Sequence, residues 1–269
     1  MHVSRLAALL ALTLAACGPT APAPAAGQSS SLAPAHKAAI GRKIWQNECG
    51  GTVDGLTSWN GGENFPSLGI GHFIWYPAGV SGPFDESWPR FAAYAAQRGT
   101  PVPPIGRQAD APWANRAAFQ AAFRRPDLNQ LRQWLAGHVE LQTDFIIARS
   151  RASLPKILQA ATPADRPRIE RNYQKVATTA NGQYALIDYV NFKGEGTHPG
   201  ERYQGQGWGL LQVLAGMAEV PSGQPAAAEF AASAKRVLGR RIAQAPAERG
   251  EGRWKAGWFN RCDTYARPL

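Results

Sequence analysis

The chain has 269 residues, 44% of them hydrophobic and 18% charged, so it can pack a core and wholesale disorder is excluded. None of its segments is long and apolar enough for a membrane-spanning helix. A net charge of +10 points to anionic partners, and nine Trp with 28 Gly and 21 Pro point to a loop-rich domain with ring-stacking surface.

The first residues read MHVSRLAALLALTLAAC, with Arg5 before an apolar stretch too short to span a bilayer. Leu14-Ala15-Ala16-Cys17 resembles the lipobox of bacterial lipoproteins. The resemblance implies cleavage after residue 16, acylation of Cys17 and, with Gly18 next, an outer-membrane anchor facing the periplasm. An ordinary secretory signal cleaved after Ala16 or near Ala26 is the alternative. Residues 17–35 carry small residues, Pro and Ser, which bury too little apolar surface to order a chain, so they read as a tether. Fully extended at about 3.1 Å per residue, such a tether reaches roughly 55 Å.

The folded domain is expected over 36–269. Apolar spacing predicts a helix over 36–47, ended by Gly50-Gly51, then loops and a small sheet or hairpin over 50–83. Helices follow over 84–98, 116–123, 127–148, 154–161 and 167–179. Residues 184–192 read as helix or strand, and 193–209 as a Gly-rich loop. Helices over 209–218, 226–244 and 255–265 close the chain. This is a mainly helical α+β domain with one small β element near its front. In an exported protein, Cys49 and Cys262 form an even pair once Cys17 is acylated. A disulfide joining them across nearly the whole domain would contribute about 5 kcal/mol; two free buried thiols are the alternative. No Cys or His pair has ligand spacing and no phosphate-binding Gly loop occurs, so neither metal nor cofactor is expected.

The densest chemistry lies in ECGGTVDGLTSWNGGENFPSLGIGHFIWY, from Glu48 to Tyr76. Glu48 and Glu63 amid aromatics suit glycosidic cleavage, in which one carboxyl donates a proton while another stays ionised. Asp54 is a third candidate carboxylate. Trp59, Trp75 and Tyr76 offer faces for sugar rings, with Asn60 and His72 as polar contacts. Ser67-Leu68-Gly69-Ile70-Gly71-His72 resembles the Thr-Ile-Gly-x-Gly-His strand of bacteriophage-type lysozymes. That resemblance puts Glu48 at the catalytic Glu, as general acid, and Ser67 at the Thr that holds water. It implies a lysozyme-like fold with a small β element and a helical lobe. The family's Asp is missing and Glu63 is the nearest substitute. Ala256-Gly257-Trp258-Phe259-Asn260-Arg261 resembles the family's late Gly-Leu-x-x-Arg-Arg helix.

A second cluster, DYVNFKGEGTHPGERYQGQGWGLLQ, brings Glu195, Tyr203, Gln206 and Trp208 onto a permissive backbone that suits a groove wall. Its Gly207-Trp208-Gly209-Leu210-Leu211-Gln212 is similar to the Gly-Leu-Met-Gln segment of lytic transglycosylases, and Glu195 is a candidate partner carboxylate. The expectation is a monomeric, lipid-anchored glycosidase acting on peptidoglycan, of muramidase or transglycosylase type; a chitosanase-like activity is disfavoured by the positive charge. A non-catalytic glycan-binding or scaffold lipoprotein is the rival. Nucleic acid is not an expected partner of an exported chain.

Overall fold

The computed structural model describes residues 32–82 and 84–269. Residues 1–31, with the leader, Cys17 and most of the expected tether, lie outside the described residues. The fold is a mainly helical α+β domain with small antiparallel sheets. Helix α1 spans Pro34–Cys49, starting inside the segment read as tether because a Pro near a helix start has no N–H to leave unpaired. Gly50 ends it in the left-handed region, φ 62°, and Gly51 continues the reversal at φ 69°.

Three two-residue strands follow: β1 (Thr57–Ser58), β2 (Ser67–Leu68) and β3 (Phe73–Ile74). They pair antiparallel in chain order, with Ser58 opposite Ser67 and Leu68 opposite Phe73. Strands this short cannot hold a sheet alone, and the helical layer pins them. Gln142 inserts its side chain into the turn, accepting from the Ile70 N–H at 2.9 Å and donating to the Leu135 carbonyl at 2.7 Å.

The helical layer comprises α2 (Trp88–Gln97), α3 (Arg116–Ala122), α4 (Pro126–Gly137), α5 (Val139–Ala160), α6 (Arg166–Val176), α7 (Ala180–Lys193), α8 (Leu210–Ala215), α9 (Gln224–Gln244) and α10 (Lys255–Tyr265). Two differences from the sequence reading have local causes. The stretch expected as one helix over 127–148 breaks at His138, whose ring stacks on Trp134 and whose Nδ1 meets the Trp134 carbonyl at 2.7 Å. Helix α5 then runs on through Pro155, joining the piece expected separately over 154–161. Residues 184–192 are helical; Thr179 caps α7 by accepting from the Gly182 N–H at 3.1 Å. The Gly-rich loop holds a second hairpin, β4 (Arg202–Tyr203) with β5 (Gln206–Gly207).

Trp75 and Tyr76, expected to stack sugars, are core residues. Trp75 is fully buried, packs on Trp88 and Trp113, and donates its indole N–H to the Ala109 carbonyl. Tyr76 is buried edge-on to Phe65 and donates to the Phe84 carbonyl. Trp75→Phe is expected to cost about 2 kcal/mol in urea unfolding, from lost volume and one hydrogen bond, with glycan binding unchanged. Weakened glycan binding at full stability would restore the ring-stacking role.

The expected Cys49–Cys262 disulfide is absent, and both thiols are free and buried. The Cys49 thiol donates to the Gly69 carbonyl at 3.5 Å behind the sheet, whereas Cys262 lies on α10 in the core packed against α9. Burial pushes both thiols up to about 12, so neither is a ready nucleophile.

Candidate active site

Glu48 is the last but one residue of α1, where the Gly50-Gly51 reversal frees its side chain to face the sheet. The turn after β2 presents His72 to it, and the glycines of the SLGIGH string make that turn possible. Gly69 sits at φ 69° against the Gln142 amide, and a Cβ on Gly71 would lie 2.2 Å from the Phe73 ring. His72 itself has φ 50°, a conformation a non-Gly residue adopts at a cost on the order of 1 kcal/mol. Its Nδ1 lies 3.4 Å from Glu48 Oε2, and its Nε2 lies 3.2 Å from the Ser58 hydroxyl.

The other carboxylate oxygen, Oε1, accepts from Arg261 Nη2 at 2.5 Å and from Asn191 Nδ2 at 3.2 Å. Arg261 projects from α10 and grips Asp188 of α7 with two 2.8 Å bonds. Asp188, fully buried, also accepts from the Tyr265 hydroxyl at 2.6 Å. Four elements distant in sequence therefore converge on one charge chain, Glu48–Arg261–Asp188 with His72 at its open end. Burial alone would raise the Glu48 carboxyl, but the charges and hydrogen bonds of Arg261 and His72 outweigh it and hold it at about 2. For His72 burial opposes the charge, yet Glu48 and then Glu63 win and raise it.

The site thus pairs an ionised Glu48 with a His72 whose charged form that carboxylate favours. Glu48 contributes stability above its ordinary 4.5, lost as pH falls toward about 2. His72 contributes stability below its ordinary 6.5, lost as pH rises through its raised folded value. Melting temperature is expected to be highest between those limits, with a decline on the alkaline side that His72→Gln removes. An identical alkaline decline in the variant would show that His72 carries no charge in the fold.

Glu63 sits in the loop between β1 and β2, its backbone carbonyl accepting from Trp59 Nε1 at 2.9 Å. Burial raises its carboxyl despite His72 and Asn60, and its Oε2 is buried without a partner. The two front carboxyls are therefore held apart in protonation, with His72 acting on both. Ser67 is buried opposite Ser58 and makes no hydrogen bond to Glu48 among the described residues. Asn60 is exposed, whereas Trp59 is buried and edges a cavity of about 400 Å³ with Thr57, Ser58, Phe119, Gln120 and Phe123. Asp54 turns away to Arg124 at 3.0 Å.

The second cluster divides. Glu195 pairs with Lys156 at 3.0 Å rather than with the Glu48 group. Trp208 is buried under Arg241, whose Cζ stands 4.0 Å from its ring, so it offers no open face to a sugar. Tyr203 is half-buried and donates to Glu251 at 2.8 Å, and Gln206 is exposed at the hairpin end. No protein-family model, curated protein or solved structure matches this chain.

Asn191 as a partner of Glu48, and Asp188 as the partner of Arg261, escaped the sequence reading. Their signal was the spacing of three on α7, which puts both on one helix face beside the site. Nothing in the sequence marked Arg261 as the Glu48 partner.

Proposed function

We propose that the protein cleaves the glycan strands of peptidoglycan, with Glu48 as its acid–base group. The observation that carries the reading is the Glu48 carboxylate at the end of α1, facing the His72 turn of a small sheet and backed by Arg261 from the last helix. The same residues carry the resemblance to bacteriophage-type lysozymes. In this reading a sugar placed over the sheet edge excludes water, which weakens the case for an ionised Glu48. The His72 Nδ1 proton then passes to Glu48 Oε2 and on to the glycosidic oxygen. Glu48, anionic again, steadies the positive charge developing at C1. A nucleophile adds at C1, and its proton returns to the Glu48–His72 pair. Glu63, with its raised carboxyl, is the second group available to orient that nucleophile, in the place where the family has Asp. Anchoring through Cys17 at the outer membrane, facing the periplasm, belongs to the same proposal.

The test is to incubate the purified protein with peptidoglycan and read soluble products by mass spectrometry. Reducing ends would mark attack by water, and anhydro ends attack by the sugar's own hydroxyl. No release, with the protein still pelleting with the wall, would replace the enzyme with a glycan-binding lipoprotein.

A further inference from the structure

Ser58 extends the Glu48–His72 pair into a chain of three groups, and glycan cleavage as proposed above makes no use of it. Its hydroxyl lies 3.2 Å from His72 Nε2, while His72 Nδ1 lies 3.4 Å from Glu48 Oε2. A hydroxyl on one ring nitrogen and a carboxylate on the other is the order in which an imidazole turns an alcohol into a nucleophile. Both contacts are loose, as such bonds commonly are before a substrate tightens them. The carboxylate is well held for this task. Arg261 and Asn191 occupy its Oε1 and leave Oε2 to the ring. With His72 neutral, the carboxylate draws the single ring proton to Nδ1, and Nε2 keeps a lone pair facing the Ser58 hydroxyl.

The hydroxyl is also within reach of a ligand. Ser58 is only half-buried, and the His72 side chain keeps 30% of its surface exposed. Ser58 lines the cavity of about 400 Å³ that Thr57, Trp59, Phe119, Gln120 and Phe123 complete. Trp59 and Phe119 meet there at 6.0 Å and 56°, and with Phe123 they make walls that suit a short hydrocarbon chain. The end of β1 is fixed beside it. The Trp59 carbonyl accepts from Arg116 Nε at 2.8 Å, and its indole N–H donates to the Glu63 carbonyl at 2.9 Å. Gln120, exposed on α3, makes no side-chain hydrogen bond among the described residues, so its carboxamide is available to a carbonyl oxygen in the cavity.

We propose that Ser58, activated by His72, is the nucleophile for hydrolysis of a short-chain carboxylic ester whose acyl group enters the Trp59–Phe119–Phe123 cavity. Ser58 Oγ bonds to the acyl carbon as its proton passes to His72 Nε2. The ester C–O bond breaks, and the leaving alcohol takes that proton. Water then adds to the acyl-serine and gives a proton to Nε2, which returns it to Ser58 Oγ as the acid departs. Glu48 acts through His72 as a positioning residue. The reaction needs neither a sugar nor a protonated Glu48, so it goes beyond the glycosidase reading and does not rest on it. His72 must be neutral for the first step. Burial opposes its charge, Glu48 of α1 and then Glu63 of the β1–β2 loop outweigh burial, and Arg261 of α10 works against them. The rate is therefore expected to rise with pH through a value above the ordinary 6.5.

The test treats the purified protein with p-nitrophenyl butyrate and, separately, with an alkyl fluorophosphonate that labels activated serines. Hydrolysis is expected, with the phosphonate found on Ser58 by peptide mass spectrometry. Labelling is read on the wild type and so depends on no variant folding. Ser58→Ala and His72→Gln should each lower kcat/KM by about 10²–10⁴-fold, with circular-dichroism melts showing both folded. Glu48→Gln should move the rise in rate to lower pH, because His72 then loses the carboxylate that favours its charge; a purely structural role for Glu48 would leave that inflection in place. No hydrolysis, a label on another residue, or a rate unchanged in Ser58→Ala overturns the proposal. Glycan release from peptidoglycan is followed in parallel. Release without ester hydrolysis sinks the esterase inference alone, and ester hydrolysis without release sinks the glycosidase reading alone.

Discussion

Glu48→Gln is expected to lower glycan release from peptidoglycan by about 10²–10⁴-fold, with the protein still folded. Gln keeps the shape and can still accept from Arg261 and Asn191, but it cannot take the His72 proton and pass it on. Product release counted by mass spectrometry checks the loss, and a circular-dichroism melt checks the fold. Glu63→Gln is the companion experiment. Its carboxyl is the one that burial favours in the neutral form, whereas Glu48 rests at about 2. Activity lost in Glu63→Gln and kept in Glu48→Gln would reverse the roles, with Glu63 the proton donor and Glu48 a fixed anion. Activity kept in both would sink the glycosidase reading.

Arg261→Met is expected to destabilise the fold by about 3–5 kcal/mol in urea unfolding. Arg261 is the shared partner of two carboxylates, Glu48 with an 11% exposed side chain and Asp188 with none. Removing it leaves Asp188 in a low-dielectric site with neutral donors such as Tyr265, and leaves Glu48 with Asn191 and His72 alone. Protonation then becomes the cheaper state, so the Glu48 carboxyl should rise from about 2 and the acid side of the stability profile should move up in pH. Arg261→Lys keeps the charge but loses the two-pronged grip on Asp188, and an intermediate loss follows. A change below about 1 kcal/mol for Arg261→Met would mean that solvent screens the pair, as at an exposed salt bridge.

Much of the architecture was legible along the chain, since helices announce themselves locally. Pro34 and Pro126 mark starts, Thr179 and Asn115 cap, and Gly50 stops α1 with a positive φ. The helix expected over 255–265 is α10 as it stands, and the front sheet lies where short apolar runs between glycines put it. What failed did so where burial decides. The sequence reads Trp75 and Tyr76 as sugar-stacking and Trp208 as lining a groove because aromatic residues look alike in sequence whether they face a core or a crevice. Cys49 and Cys262 were paired by parity, which says nothing about where two thiols point.

By itself the sequence determined the place of most helices, the small sheet between 50 and 83, and Glu48 at a helix end followed by a glycine turn, because each depends on near neighbours. Only the tertiary structure decided the protonation of that carboxyl, since Arg261, Asp188, Asn191 and His72 come from separate elements and act through space. Charge interactions fall off with distance and strengthen with burial, and neither quantity exists until the chain has folded.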